Sequence, residues 1–198
     1  FLQYVTTNNV ANLEVGQAQY SAICNPQGGI KDDIFVYRTG VDDYLLCVNA
    51  SNREKIVGWL QEQRSHGPQC LVLYQSGETA QLALQGSMAR GILEQLGATG
   101  LGELKFHGLV QVPLCGVTCW VARTGYTGEP GYELYVPAVS ALALWNRLVE
   151  VGQAVGLKAA GLGARDLLRL DMGYLLYGND ISEDTTPIEA GIGWAVDC

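Results

Sequence analysis

Positive charge, histidine and long apolar runs are what this chain has least of, and each shortage removes a class of function. Twelve lysines and arginines stand against twenty acidic residues in 198, a net charge of -8. A surface of that sign does not track a phosphate backbone, so nucleic acid is not an expected partner. No apolar run is long enough to cross a bilayer as a helix, and no basic start, apolar segment and cleavage site of a secretory signal can be read, so no membrane partner is expected either. The two histidines, His66 and His107, have no catalytic partner near them in sequence. Each reads as a surface or hydrogen-bonded histidine. Among the six cysteines, Cys24, Cys47, Cys70, Cys115, Cys119 and Cys198, only Cys115 and Cys119 are close. A C-x-x-x-C on an extended stretch, without a second ligand pair, is not a metal signature. The thiols read as reduced packing residues of a cytosolic or organellar protein.

What the chain has in quantity is apolar residues, 48% of the total, and glycine, 25 residues. That suffices for one large domain or two small ones with a real core. The glycines concentrate around residues 123–134, RTGYTGEPGYEL. Gly125, Gly128 and Gly131 can shape a turn, Pro130 fixes one bend, and Tyr126, Tyr132 and Glu133 are held on it. An apolar run at 117–122 enters and 132–136 leaves, so the segment reads as a long hairpin. On its own this could be purely structural.

In chain order, FLQYV reads as the tail of an element begun upstream, before a polar turn at 6–9. Strands are expected at 18–24, carrying Tyr20, at 34–37 and at 44–48, joined by turns at 25–29 and 40–43. Lys31, Asp32 and Asp33 stand at the start of the second strand, and the three strands form an antiparallel meander. Ser51 and Glu54 make a capping-box pattern ahead of a helix over 52–63, with Ile56, Val57, Trp59 and Leu60 at helical spacing. Strands over 70–75 and 79–84 precede a helix capped by Ser87, running through Leu96 and closed by Gly97. Strands at 105–110 and 114–122 feed the glycine loop. A helix over 139–155 is expected to bury Leu142, Trp145, Leu148 and Val149. Residues 161–171, GLGARDLLRLD, become helical, with Arg165 and Arg169 on one face and an Asp166–Arg169 ion pair on a solvated side. A turn at 174–180 and an apolar, strand-like end containing Trp194 follow. Antiparallel strands alternating with a few helices predict an α+β fold, antiparallel sheets with flanking helices.

RTGYTGEPGYEL resembles the corresponding segment of the glycine cleavage system T-protein family, the tetrahydrofolate-dependent aminomethyltransferases. NPQGGIKDDIFVY, VNASNREK, GLGARDLLRLDMGYLLYG and EDTTPIEAGIGW resemble T-protein segments too, in the family's order. Five spaced motifs in order are far more specific than any one. The resemblance covers nearly the whole chain. It implies that residues 1–198 form a T-protein-like folate-binding region, expected as two intertwined α+β subdomains. The family's N-terminal segment and C-terminal β-barrel have no counterpart here, so exposed edges are expected at both ends, to be covered by missing domains or by self-association with another copy. Lys31 departs from the pattern, since the family usually carries an apolar residue before the Asp pair.

The resemblance also implies a reaction. The one-carbon unit on the aminomethyl-lipoyl arm of the H-protein passes to tetrahydrofolate, the acceptor substrate, and ammonia is released; no metal is required. A bacterial cytoplasm or a mitochondrial matrix is the implied location. Asp33, the second Asp of its motif, matches the catalytic carboxylate, Glu133 the acid that binds the folate ring, and Arg165 its basic partner. Tyr20, Asn49, Tyr126 and Trp194 match pocket residues. Carboxylates accept pterin N–H donors and aromatic rings cover the flat ring, so the residue types suit the task. Successive strand side chains point to opposite faces, so only one of Asp32 and Asp33 can face a pocket, and the match assigns Asp33. Three rival readings stay open: a folate-binding relative of the iron–sulfur assembly type, whose K-G-C-Y-x-G-Q-E signature is missing here, a folate-dependent demethylase, and an inactive truncated fragment.

Overall fold

The structure is a computed structural model and describes residues 1–197. Cys198 lies outside the described residues. Two compact units divide the chain: Phe1–Tyr74 together with the stretch from Leu175 onward, and Gln75–Tyr174. Antiparallel sheets flanked by helices make each an α+β body, as the strand pattern predicts.

The first unit opens with a single helical turn, α1 (Leu2–Val5), and is built on β1 (Ala18–Cys24), β2 (Ile30–Arg38) and β3 (Tyr44–Cys47) in the sheet order β1-β2-β3. The expected meander is present. β2 begins at Ile30, earlier than its apolar run suggests, because Ile30, Asp32 and Asp33 pair with β1 as well, with Lys31 passed over at a register shift. Ile30, Asp32, Ile34 and Val36 point to the buried face, while Lys31, Asp33 and Phe35 on the other are only partly covered. Helix α2 (Arg53–Gln63) lays Ile56 and Leu60 on Ile23, Ile34 and Val36. The expected capping box does not form. A 3-10 turn, Ala50–Asn52, precedes the helix, and Asn52 at the N-cap gives its amide to Asp32 instead.

Two expected strands in this unit are absent. Residues 70–75 have no strand partner and leave Leu71 and Leu73 exposed; alternation of apolar residues is not enough without an edge to pair with. The stretch around Trp194 is a run of turns ending in the 3-10 turn Gly193–Ala195, because Gly191 at φ 74° breaks the extension. It is tied to the sheet all the same. Ile30 N–H donates to Thr185 O at 2.9 Å and Asp197 N–H to Thr7 O at 2.9 Å, while Ile181 and Ile192 pack on Ala22 and Ile30.

The second unit runs β4 (Thr79–Gln85), α3 (Ala89–Gln95), β5 (Leu109–Leu114), β6 (Val117–Ala122), β7 (Gly131–Pro137), α4 (Ala138–Gly152) and α5 (Leu162–Asp171), with the sheet order β4-β7-β6-β5. The strand expected at 105–110 lies further on, and the run expected at 114–122 is split by a two-residue turn. Cys115 and Gly116, at φ 51° and 81°, make that turn, as a tight hairpin with right-handed strand twist requires. Pro113 is tolerated because β5 is an edge. Cys115 is exposed at the turn and Cys119 is buried, so packing describes only the second; no disulfide joins the five described cysteines.

Met88, not Ser87, precedes α3, which closes as expected at Gly97: Ala98 N–H reaches Leu93 O and Gly97 N–H reaches Glu94 O. Helix α4 exists, and of the residues expected to be buried it buries only Leu148. Leu144 and Leu148 enter the core with Leu93, Leu114, Val121 and Leu134, whereas Leu142 is 72% exposed and Trp145 and Val149 are also out. In α5 the leucines are exposed too, and Arg169 is the buried residue.

Candidate functional site

In the first unit the register of the sheet gathers the matched residues. Tyr20 pairs with Phe35 across β1 and β2, so Asp33, two residues away on the same face, lies within diagonal reach. The Tyr20 hydroxyl donates to Asp33 Oδ2 at 3.0 Å. Cys47 of β3 also pairs with Phe35, which carries Asn49, two residues further, to the level of Asp33. Its Nδ2 donates to Asp33 Oδ1 at 2.8 Å. Trp194 stacks on Tyr20 with centroids 5.3 Å apart, and Phe35 meets the same ring edge-on at 5.7 Å. Trp194 is 68% exposed. Tyr20, Asp33, Asn49 and Trp194 therefore form one cluster.

Asp33 is partly covered and has no cation partner among the described residues. Burial pushes its pKa above the ordinary carboxylate value, against the opposing pull of the Tyr20 and Asn49 hydrogen bonds. Asp32 is fully buried on the other face. It accepts from Asn49 N at 3.0 Å, Asn49 Nδ2 at 2.9 Å and Asn52 Nδ2 at 2.5 Å. Burial still raises its pKa to about 6, with the neighbouring Asp33 charge adding to the rise. Lys31, the departure from the family pattern, donates to Glu183 Oε2 at 3.0 Å, and Lys55 sits 3.5 Å from Oε1 of the same carboxylate. The residue is accommodated by a charge partner rather than by apolar packing.

The second unit carries the other three matched residues on and around the glycine loop. Glu133 of β7 stands between Ala83 of β4 and Ala122 of β6, small neighbours that leave its carboxylate room. Thr124 Oγ1 donates to its Oε2 at 2.5 Å and Gln81 Nε2 to its Oε1 at 2.8 Å. Arg165 places its guanidinium 4.5 Å from the Tyr126 ring centroid, and no ion pair joins it to Glu133 among the described residues. Tyr126 also stacks on Tyr174 at 5.8 Å. The expected Asp166–Arg169 pair is present at 2.8 Å, but Arg169 is only 3% exposed, not on a solvated face. It also donates to Tyr174 O at 3.0 Å, fastening that residue.

The loop owes its shape to Gln85, a residue that no sequence motif singles out. Its amide donates to Thr124 O and Tyr132 O, and Thr127 Oγ1 donates to its Oε1 at 3.0 Å. A Cβ on Gly125 or Gly131 would lie 2.1 Å or 2.6 Å from that side chain. Those two glycines make room, and only Gly128, at φ 74°, takes the left-handed conformation. Beside the loop is a cavity of about 270 Å³ lined by Phe106, Arg123, Thr124, Glu129 and Tyr174. Asn52, Gln81, Gln85 and Tyr174 are the contributors that sequence missed. Gln81 lies within β4 and Gln85 ends it, Asn52 precedes α2 and Tyr174 follows α5, all ordinary places for such residues.

Comparisons agree on one family. The model of the GCVT N-terminal domain matches residues 1–198. The chain is 48% identical over 195 residues to the aminomethyltransferase of Halothermothrix orenii, covering 98% of this chain and 54% of that protein. It is 50% identical over 198 residues to the aminomethyltransferase of Bacillus cereus, covering 99% and 53%. The crystal structure of glycine cleavage system aminomethyltransferase T from Bartonella henselae is similar at a TM-score of 0.87 and 37% identity, over 99% of this chain and 52% of that one. The chain thus spans about half the length of the curated relatives it matches.

Proposed function

The chain belongs to the GCVT N-terminal domain family, and from that membership we propose that it binds reduced folate and supplies the folate-side residues of aminomethyl transfer in the glycine cleavage system. The whole reaction proposed is transfer of the one-carbon unit from an aminomethyl-lipoyl H-protein to tetrahydrofolate, with release of ammonia. Because the relatives are about twice as long, turnover and the H-protein partner are proposed for the whole protein of this kind. Reduced folate supplies the nitrogen nucleophile. Orientation of the reactants contributes a large share of the rate in such a step.

Asp33 is the proposed catalytic carboxylate. The reading is supported most by its surroundings: a partly buried acid, held by a phenol and an amide, with no cation to keep its pKa low. Such a group can hold a proton closer to neutrality than a free aspartate can. Glu133 is proposed to accept ring N–H donors, since Thr124 and Gln81 occupy only part of its acceptor capacity. Tyr126 and Arg165 offer a flat, cationic-faced surface, and Trp194 with Tyr20 a second aromatic one.

A transfer assay tests the reading. The whole protein, carrying these residues, is offered an aminomethylated lipoyl carrier and, separately, methylated sulfonium or amine donors, each with tetrahydrofolate. Ammonia release with the lipoyl carrier alone is expected; turnover only with a methyl donor would move the assignment to a demethylase.

A further inference from the structure

We infer that Asp32 is a positioning residue, whose buried carboxylate fixes the side-chain amide of Asn49 and, through it, the carboxylate of Asp33. Asn49 is gripped at two points by one group: its backbone N–H donates to Asp32 Oδ2 at 3.0 Å and its Nδ2 to Asp32 Oδ1 at 2.9 Å. Rotation of the amide is then blocked. Three acceptors, Asp32 Oδ1, Asp33 O and Asp33 Oδ1, lie 2.9, 3.1 and 2.8 Å from Nδ2, so only the NH₂ end can face them and its two hydrogens are shared among the three. Asn52, from the turn before α2, holds Asp32 Oδ1 from the other side at 2.5 Å.

The position itself argues for this role. Asp32 lies on the buried face of β2 between Ile30 and Ile34, both buried. A site that needed only packing would take another aliphatic residue, because an unpaired buried charge is costly. No cation offsets Asp32 among the described residues, and the one charge set against it is Asp33. What the carboxylate provides is three acceptor contacts in fixed directions. An asparagine in its place has one acceptor oxygen for three donors and turns an NH₂ toward one of them. The bearing on one-carbon transfer rests on the folate reading; the positioning of Asp33 does not.

The test follows the Asp33 carboxyl carbon and the Asn49 side-chain amide by NMR across pH, in the chain and in Asp32→Asn. The Asn49 hydrogen bond holds the Asp33 pKa down. Losing it should raise the Asp33 midpoint and move the Asn49 amide signals. Removal of a neighbouring negative charge can only lower the midpoint, or leave it where Asp32 already holds its proton, so a rise separates positioning from charge. A fall, or no change, overturns the inference. Should Asp32→Asn fail to fold, Asn52→Ala leaves both carboxylates in place and is expected to give a smaller rise with shifted Asn49 signals; unmoved signals overturn the inference. Tetrahydrofolate added to the parent separates the two readings. A raised midpoint with no folate binding sinks the folate reading alone, and folate binding with no rise sinks the positioning alone.

Discussion

At the scale of single residues, the Asp32 carboxyl has a signature in stability. Its pKa is raised from 3.8 to about 6 by burial, so the folded chain holds a proton that the unfolded chain releases. Its contribution is fully present below the unfolded value and is lost as pH rises through about 6. Relative to Asp32→Asn, the parent should therefore gain about 1 kcal/mol between pH 7.5 and pH 5, read from denaturant unfolding at both. A parent that loses stability relative to the variant on acidification would show that the proton is not held there. Asp33→Asn in a full-length protein is expected to cripple transfer while leaving tetrahydrofolate binding within a few-fold, because it keeps shape and removes charge. Turnover and binding, measured on the same preparation, distinguish that from a collapsed pocket. Of these residues, strand alternation told that the two acids stand on opposite faces of β2, and the family resemblance, not the alternation, chose Asp33. That Asn49 and Asn52 join Asp32 was not legible, because it depends on where the chain goes after β3.

Among elements, the glycines give opposite predictions. Gly125→Ala would drive a Cβ into Gln85, whose far end could move only by giving up its bonds to Thr124, Thr127 and Tyr132. A loss of roughly 1–3 kcal/mol is expected. Gly58, inside α2, has open space where a Cβ would stand, with nothing within 4 Å of it, and Gly58→Ala should stabilise by roughly 0.5–1 kcal/mol. Thermal melts of both decide, and equal signs would contradict the packing described. The strands of the first sheet and helices α2, α3 and α5 were readable from period and punctuation. Helix α4 was readable as a helix but not in its orientation: Leu142, Trp145 and Val149 look as core-like as Leu144 and Leu148. Residues 70–75 and the end around Trp194 read as strands from composition, yet the first lacks a partner and the second is turned by Gly191.

For the molecule as a whole, the acidic balance argues against a polyanionic partner. No helix of the described residues is long and apolar enough to cross a membrane. The family was legible because its motifs are spaced and ordered; how Glu133 and Arg165 are used was not, since Arg165 lies over Tyr126. The central claim is that this chain binds reduced folate through Glu133. Calorimetric titration of tetrahydrofolate into the parent and into Glu133→Ala tests it most directly. Saturable binding by the parent is expected, and the variant should lose roughly 2 kcal/mol or more, because ring N–H donors lose a charged acceptor. A parent with no saturable binding, or a variant that binds as tightly, would contradict the account.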